Sequence, residues 1–119
     1  SSAASDVYKR QILPEPAENS RPSWFGFLIS VRPETGIERN KITRYIEEHN
    51  VQTRLLFSGN IIKHPCFDQI RDTDAYRVSG DLSVTEFVMN NTFWVGVYPG
   101  MTDVMIDYMA EVIKDAVNL

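Results

Sequence analysis

Hydrophobic and polar positions alternate in three short runs of the chain and recur at helical spacing in three others. Trp24 to Val31 reads WFGFLISV. Phe25, Phe27, Ile29 and Val31 fall on one face of an extended strand, and Trp24, Gly26 and Leu28 on the other. Apolar residues on both faces predict a central strand covered on both sides. Arg32-Pro33 ends it, because proline has no N–H for the ladder. Ile42, Tyr45, Ile46 and His49 then recur at i, i+3, i+4 and i+7, which predicts a helix over 38–49 with Asn50 as a left-handed C-cap. The spacing predicts a second strand over 51–57, with Val51, Thr53, Leu55 and Phe57 on one face and Gln52, Arg54 and Leu56 on the other.

After a polar, irregular stretch over 68–80, Ser83 and Glu86 have capping-box spacing, and Leu82 with Phe87 fits a hydrophobic staple. Val84, Phe87 and Val88 would form the apolar face of this short helix. Phe93 to Tyr98 predicts a third strand, stopped by Pro99-Gly100. Thr102 is placed to cap a last helix, with Met101 and Ile106 as its staple. Met105, Met109, Val112, Ile113 and Ala116 form its apolar stripe. Methionines at this spacing are core filler. The order predicts an α+β fold: a small, mainly antiparallel or mixed sheet of three to four strands packed with helices. A fourth strand is sought near 76–78.

The front of the chain lacks this patterning. Residues 1–11, SSAASDVYKRQ, read as a translated adapter. Residues 12–22, with three prolines, read as an extended linker. That leaves 23–119 as the domain. A chain of 119 residues suits one small core. Its net charge of −4 argues against an electrostatically driven nucleic-acid binder. No apolar run approaches the roughly 20 residues of a membrane helix. A lone cysteine, Cys66, makes no internal disulfide and is compatible with a reducing cytoplasm.

The densest chemistry lies between Val51 and Phe67, VQTRLLFSGNIIKHPCF. Arg54 near a strand end can hold a phosphate or carboxylate in its fork, and equally suits a surface ion pair. Gly59-Asn60 offers backbone N–H groups and an amide, and Lys63 and His64 add donors. No nucleophile elbow, zincin helix, P-loop or Rossmann fingerprint is present. His49 reads as a helix-end residue favoured by the dipole. His49 and His64 lack a third partner that would make a metal site. Cys66 reads as a small buried cysteine, not a nucleophile paired with His64.

PSWFGFLISV at 22–31, EEHNVQTRLLFSGNIIKHPCF at 47–67 and FWVGVYPGMTDVMIDYM at 93–109 together resemble the C-terminal small domain of the DegT-type sugar aminotransferase family. Gly59-Asn60 stands where ordinary members have a Leu-His pair, and this points to the branch of nucleotide-diphospho-4-keto-6-deoxyhexose 3-dehydratases of dideoxysugar and lipopolysaccharide O-antigen biosynthesis. The resemblance implies a lyase of pyridoxal-phosphate fold type I. Pyridoxal or pyridoxamine phosphate would be bound mainly outside this chain, on a missing large domain. A [2Fe–2S] cluster, also outside it, would be possible. The small domain would close over the nucleotide-sugar site, with Arg54, Phe57, Gly59, Asn60, Lys63 and His64 as substrate-binding residues and no catalytic residue or metal ligand of its own. The resemblance also implies a cytoplasmic homodimer for the full-length protein and no activity for this piece alone. The rival within the class is the small domain of a sugar aminotransferase. The rival of another class is a free-standing small-ligand-binding or dimerisation module.

Overall fold

A computed structural model describes residues 9–119; residues 1–8 of the adapter expected over 1–11 lie outside the described residues. The elements run β1 (Gln11–Ile12), β2 (Gly26–Val31), α1 (Arg39–Glu48), β3 (Thr53–Leu55), α2 (Ser83–Asn91), β4 (Thr92–Gly96) and α3 (Asp103–Ala116). The strands form one four-stranded antiparallel sheet in the order β1-β2-β4-β3. This is the α+β small domain the patterning predicts.

The core lies on one face of the sheet. Ile29 and Val31 of β2 and Phe93 and Val95 of β4 pack against Ile42 and Ile46 of α1 and Val112 and Ala116 of α3, all buried. Burial of these side chains supplies the main stabilisation, about 1.5–3 kcal/mol for each large one. The helix ends are set by the local chemistry the sequence indicates. Asn50 takes φ +62 after α1. The Thr102 hydroxyl accepts from the Met105 N–H at 3.2 Å. The His49 ring stacks on Tyr45 and hydrogen-bonds its carbonyl oxygen at 2.7 Å, a structural role at the helix end.

Four expectations are corrected. The fourth strand is not near 76–78, which forms no strand, but at Gln11–Ile12, where Gln11 pairs with Val31. Arg10 and Gln11 are therefore built into the domain: Gln11 is fully buried and Arg10 Nη1 donates to the Val117 carbonyl at 2.8 Å. A two-residue strand is too short for alternation to reveal it. The capping box does not form either. Leu82 precedes α2 with φ +57, and the Ser83 N–H donates to the Asp81 carboxylate at 3.0 Å. That bond holds the Asp81 pKa below its ordinary value. Cys66 is exposed, because it sits on a short 3-10 turn, Pro65–Phe67, at the surface of the β3–α2 connection. Coverage of the sheet is also uneven. α1 and α3 cover one face, while α2 packs on only part of the other.

On that second face Trp94 lies over Gly26. A Cβ at residue 26 would stand 2.3 Å from Trp94 Cε3. Gly26→Val should therefore destabilise the chain by about 1–3 kcal/mol. Urea unfolding measures this, and an unchanged midpoint would show that the indole does not occupy the space.

Candidate functional site

Arg54 reaches the second sheet face because β3 alternates, and β4 pairs it with Trp94. Its Nη1 donates to the Thr53 carbonyl at 2.9 Å. The Gln52 amide, turned with its oxygen toward the guanidinium, accepts from Nη2 at 2.9 Å. Arg54 lines a groove of about 550 Å³ with Trp94, Tyr98, Met105 and Tyr108. Aromatic walls beside an arginine suit a ligand with a flat ring and an anionic group.

The other expected site residues lie on the connection from β3 to α2 and do not join Arg54 in that groove. Phe57 is 74% exposed. With Gly59 it lines a smaller hollow bounded by Val84, Thr85 and Val88 of α2. Gly59 holds φ +72, and a Cβ there would meet Met89 Cγ at 3.1 Å. Both facts favour glycine. Asn60 is only 3% exposed. Its backbone N–H donates to Met89 Sδ at 3.3 Å and its Nδ2 to Glu86 Oε1 at 2.6 Å. The amide expected to face a ligand is thus an internal strut. Lys63 Nζ pairs with the same Glu86 oxygen at 2.8 Å. His64 Nε2 hydrogen-bonds the Ser58 carbonyl oxygen at 2.6 Å. Phe57, Lys63 and His64 remain at the surface.

Glu86 is the residue the sequence reading misassigned. Its carboxylate turns away from the helix cap toward Lys63 and Asn60. Those two hydrogen bonds, Lys63's first, hold its pKa below the ordinary glutamate value. Arg71, which nothing in the local pattern marks, donates from Nε to the Ile62 carbonyl at 2.7 Å and from Nη2 to the His64 carbonyl at 3.2 Å. Its Nη1 pairs with Asp68 at 2.6 Å. Carbonyl partners seven and nine residues back in an irregular connection carry no periodic signal. Arg39 works similarly at the back of α2, where its guanidinium donates to the Met89 and Thr92 carbonyls; partial burial lowers its pKa.

Two of the expected donors already have partners within the chain. The Lys63 ammonium is paired with Glu86, and the Asn60 N–H and amide are committed to Met89 and Glu86. Among the described residues no cluster of His, Cys, Asp and Glu could hold a metal ion, and no helix is long and apolar enough to cross a membrane.

Residues 2–114 match the model of the DegT/DnrJ/EryC1/StrS aminotransferase family. The chain belongs to this family. It is 46% identical over 106 residues to a dTDP-4-dehydro-2,6-dideoxy-D-glucose 3-dehydratase of Saccharopolyspora spinosa, covering 89% of this chain and 22% of that protein. It is 41% identical over 107 residues to the lipopolysaccharide biosynthesis protein RfbH of Salmonella typhimurium, covering 90% and 24%. The chain thus spans less than a quarter of the length of these two relatives. In fold it is similar to an E. coli GDP-4-keto-6-deoxy-D-mannose-3-dehydratase with bound hydrated PLP, at 23% identity and a TM-score of 0.72, covering 94% of this chain and 28% of that one. It is equally similar, at a TM-score of 0.72 and 14% identity, to a DegT DnrJ EryC1 StrS aminotransferase from Brucella abortus, covering 96% and 28%. Backbone shape therefore does not separate a dehydratase from an aminotransferase, and sequence has to.

Two outcomes follow from the geometry. Gly59→Ala should cost about 1 kcal/mol or more, since alanine resists positive φ and the methyl presses on Met89; chemical denaturation reads this. Because the folded pKa of Glu86 is depressed, its contribution is present above the ordinary glutamate pKa and is lost as pH falls through the lower folded value. A side-chain carboxyl NMR titration should place the Glu86 midpoint below that of an unpaired glutamate, and Lys63→Met should move it upward. A midpoint indifferent to Lys63 would refute the pairing.

Proposed function

We propose that this chain is the C-terminal small domain of a nucleotide-diphospho-4-keto-6-deoxyhexose 3-dehydratase and closes over the nucleotide-sugar site. The observation that carries the reading is the 46% identity, over nearly the whole chain, to a protein named as a sugar 3-dehydratase. The Gly59-Asn60 pair, which the sequence resemblance ties to the dehydratase branch, supports it.

In this reading the full-length protein uses pyridoxal or pyridoxamine phosphate, held by residues outside this chain, and works as a cytoplasmic homodimer. The cofactor supplies the electron sink for loss of the C3 hydroxyl. This chain supplies binding and orientation. Arg54 presents its guanidinium to the anionic part of the substrate from the aromatic groove. Phe57, Gly59, Lys63 and His64 form the second contact surface, with Asn60 beneath it. The domain's sheet begins at Gln11, and residues 13–25 join β1 to β2.

The test is turnover of a nucleotide-diphospho-4-keto-6-deoxyhexose by the full-length protein with added cofactor and an amino-acid amine donor, which returns the cofactor to its pyridoxamine form and so supplies the two electrons that replacing the C3 hydroxyl by hydrogen consumes. Loss of the C3 oxygen is expected, and Arg54→Ala should lower kcat/KM about tenfold or more, the scale of one lost charge-assisted hydrogen bond. A product that instead gains an amino group at C4 would assign the chain to a sugar aminotransferase. The 119-residue chain by itself should turn over nothing.

A further inference from the structure

The β3–α2 connection runs from Leu56 to Leu82 and contains no strand and no α-helix. Its site-bearing part, Ser58 to His64, has few buried side chains. Asn60 is buried, and the others are exposed or half-buried. Apolar packing therefore does not hold it. What holds it is a set of side-chain bonds from outside the segment: Met89 Sδ accepts from the Asn60 N–H, and Glu86 and Arg71 make the others. Glu86, in the first turn of α2, accepts from Asn60 Nδ2 at 2.6 Å and from Lys63 Nζ at 2.8 Å on the same oxygen, Oε1. Arg71, further along the connection, grips the backbone at Ile62 and His64 with Nε and Nη2 and is itself fixed by Asp68. The His64 ring closes the segment onto Ser58.

The two grips act on different atoms. Glu86 fixes side chains, one buried and one exposed. Arg71 fixes carbonyls two residues apart with its planar fork, which a lysine ammonium cannot reproduce. Between them, Asn60, Ile62, Lys63 and His64 are each held at a defined atom.

We propose that Glu86 and Arg71 are positioning residues that hold Ser58–His64 as one rigid unit for the nucleotide-sugar substrate. Neither needs to touch the substrate. Glu86 also sets the direction of the Lys63 ammonium. The substrate role rests on the function proposed above; the mechanical role does not.

The test uses the full-length protein that contains this chain, with two readouts. Amide hydrogen exchange is followed in the peptide spanning 58–71, and KM and kcat are measured for the nucleotide sugar. Glu86→Ala and Arg71→Ala should each speed exchange in this peptide and raise KM about tenfold while kcat changes less than about threefold. Glu86→Gln keeps an acceptor for Asn60 and should restore much of the wild-type KM; Arg71→Lys should not rescue. Glu111→Gln, which removes a surface pair with Lys114, is the control and should change neither readout. Where an alanine variant fails to fold, the Gln and Lys variants carry the same comparison. Unchanged exchange in the variants overturns the mechanical role. Faster exchange with an unchanged KM overturns the substrate role. A wild-type protein that does not turn over the sugar removes the function proposed above, and the exchange data still decide whether the two residues hold the segment.

Discussion

The structure depends on the antiparallel pairing of β2 with β4. Five residue pairs, from Gly26 with Gly96 to Ser30 with Thr92, put Ile29 beside Phe93 and Phe27 beside Val95 on the core face. The same register puts Leu28 beside Trp94 on the other face. A slip of one residue would exchange the two faces and send Phe93 out of the core. The Ser30 and Thr92 hydroxyls, 2.7 Å apart, mark the end of the ladder. Arg54 reaches its groove only because β3 docks on β4 in register, with Thr53 opposite Val95.

Two kinds of force divide the molecule. The sheet, α1 and α3 cohere by apolar burial, which is non-directional and follows area. The connection between β3 and α2 coheres by a few directed bonds through Glu86 and Arg71. The second sheet face has less of either. Phe25 is 79% exposed beside Trp94, at a ring separation of 5.3 Å. An uncovered apolar face of this kind is what a domain cut from a larger assembly would leave.

The sequence reveals the parts whose cause is local. Ile42 and Ile46 mark α1, and Met109, Val112 and Ala116 mark α3, because each must recur with the helix turn to stay buried. Thr102 and Asn50 are legible because a cap or a left-handed residue is a property of its immediate neighbours. β1 was hidden, since two residues cannot alternate convincingly and its strand status comes from Val31 and Ser30, some twenty residues away. Met105 fits the stripe of α3 by spacing yet is exposed, as are its neighbours in the first turns of that helix. At the site, residue type named Arg54, Lys63 and His64 as bearers of chemistry, but not their division between two surfaces. Glu86 misled for a related reason. Its spacing from Ser83 satisfies a local rule, and a distant lysine and asparagine compete for the same carboxylate and win.

This division of forces has a consequence for how such a chain can change over generations. A core held by area tolerates exchange of one aliphatic side chain for another of like volume, so the sheet and its two covering helices can drift in sequence while the backbone stays put. The fold is shared with a solved aminotransferase at only 14% identity. The connection held by Glu86 and Arg71 has no such latitude, since each bond has one donor, one acceptor and one direction. It can, however, be replaced as a block without disturbing the core, because few of its side chains reach into it. A domain built this way carries an exchangeable surface on a frame held by area; on the function proposed above, new sugar specificities would arise by swapping the connection, with the sheet left intact.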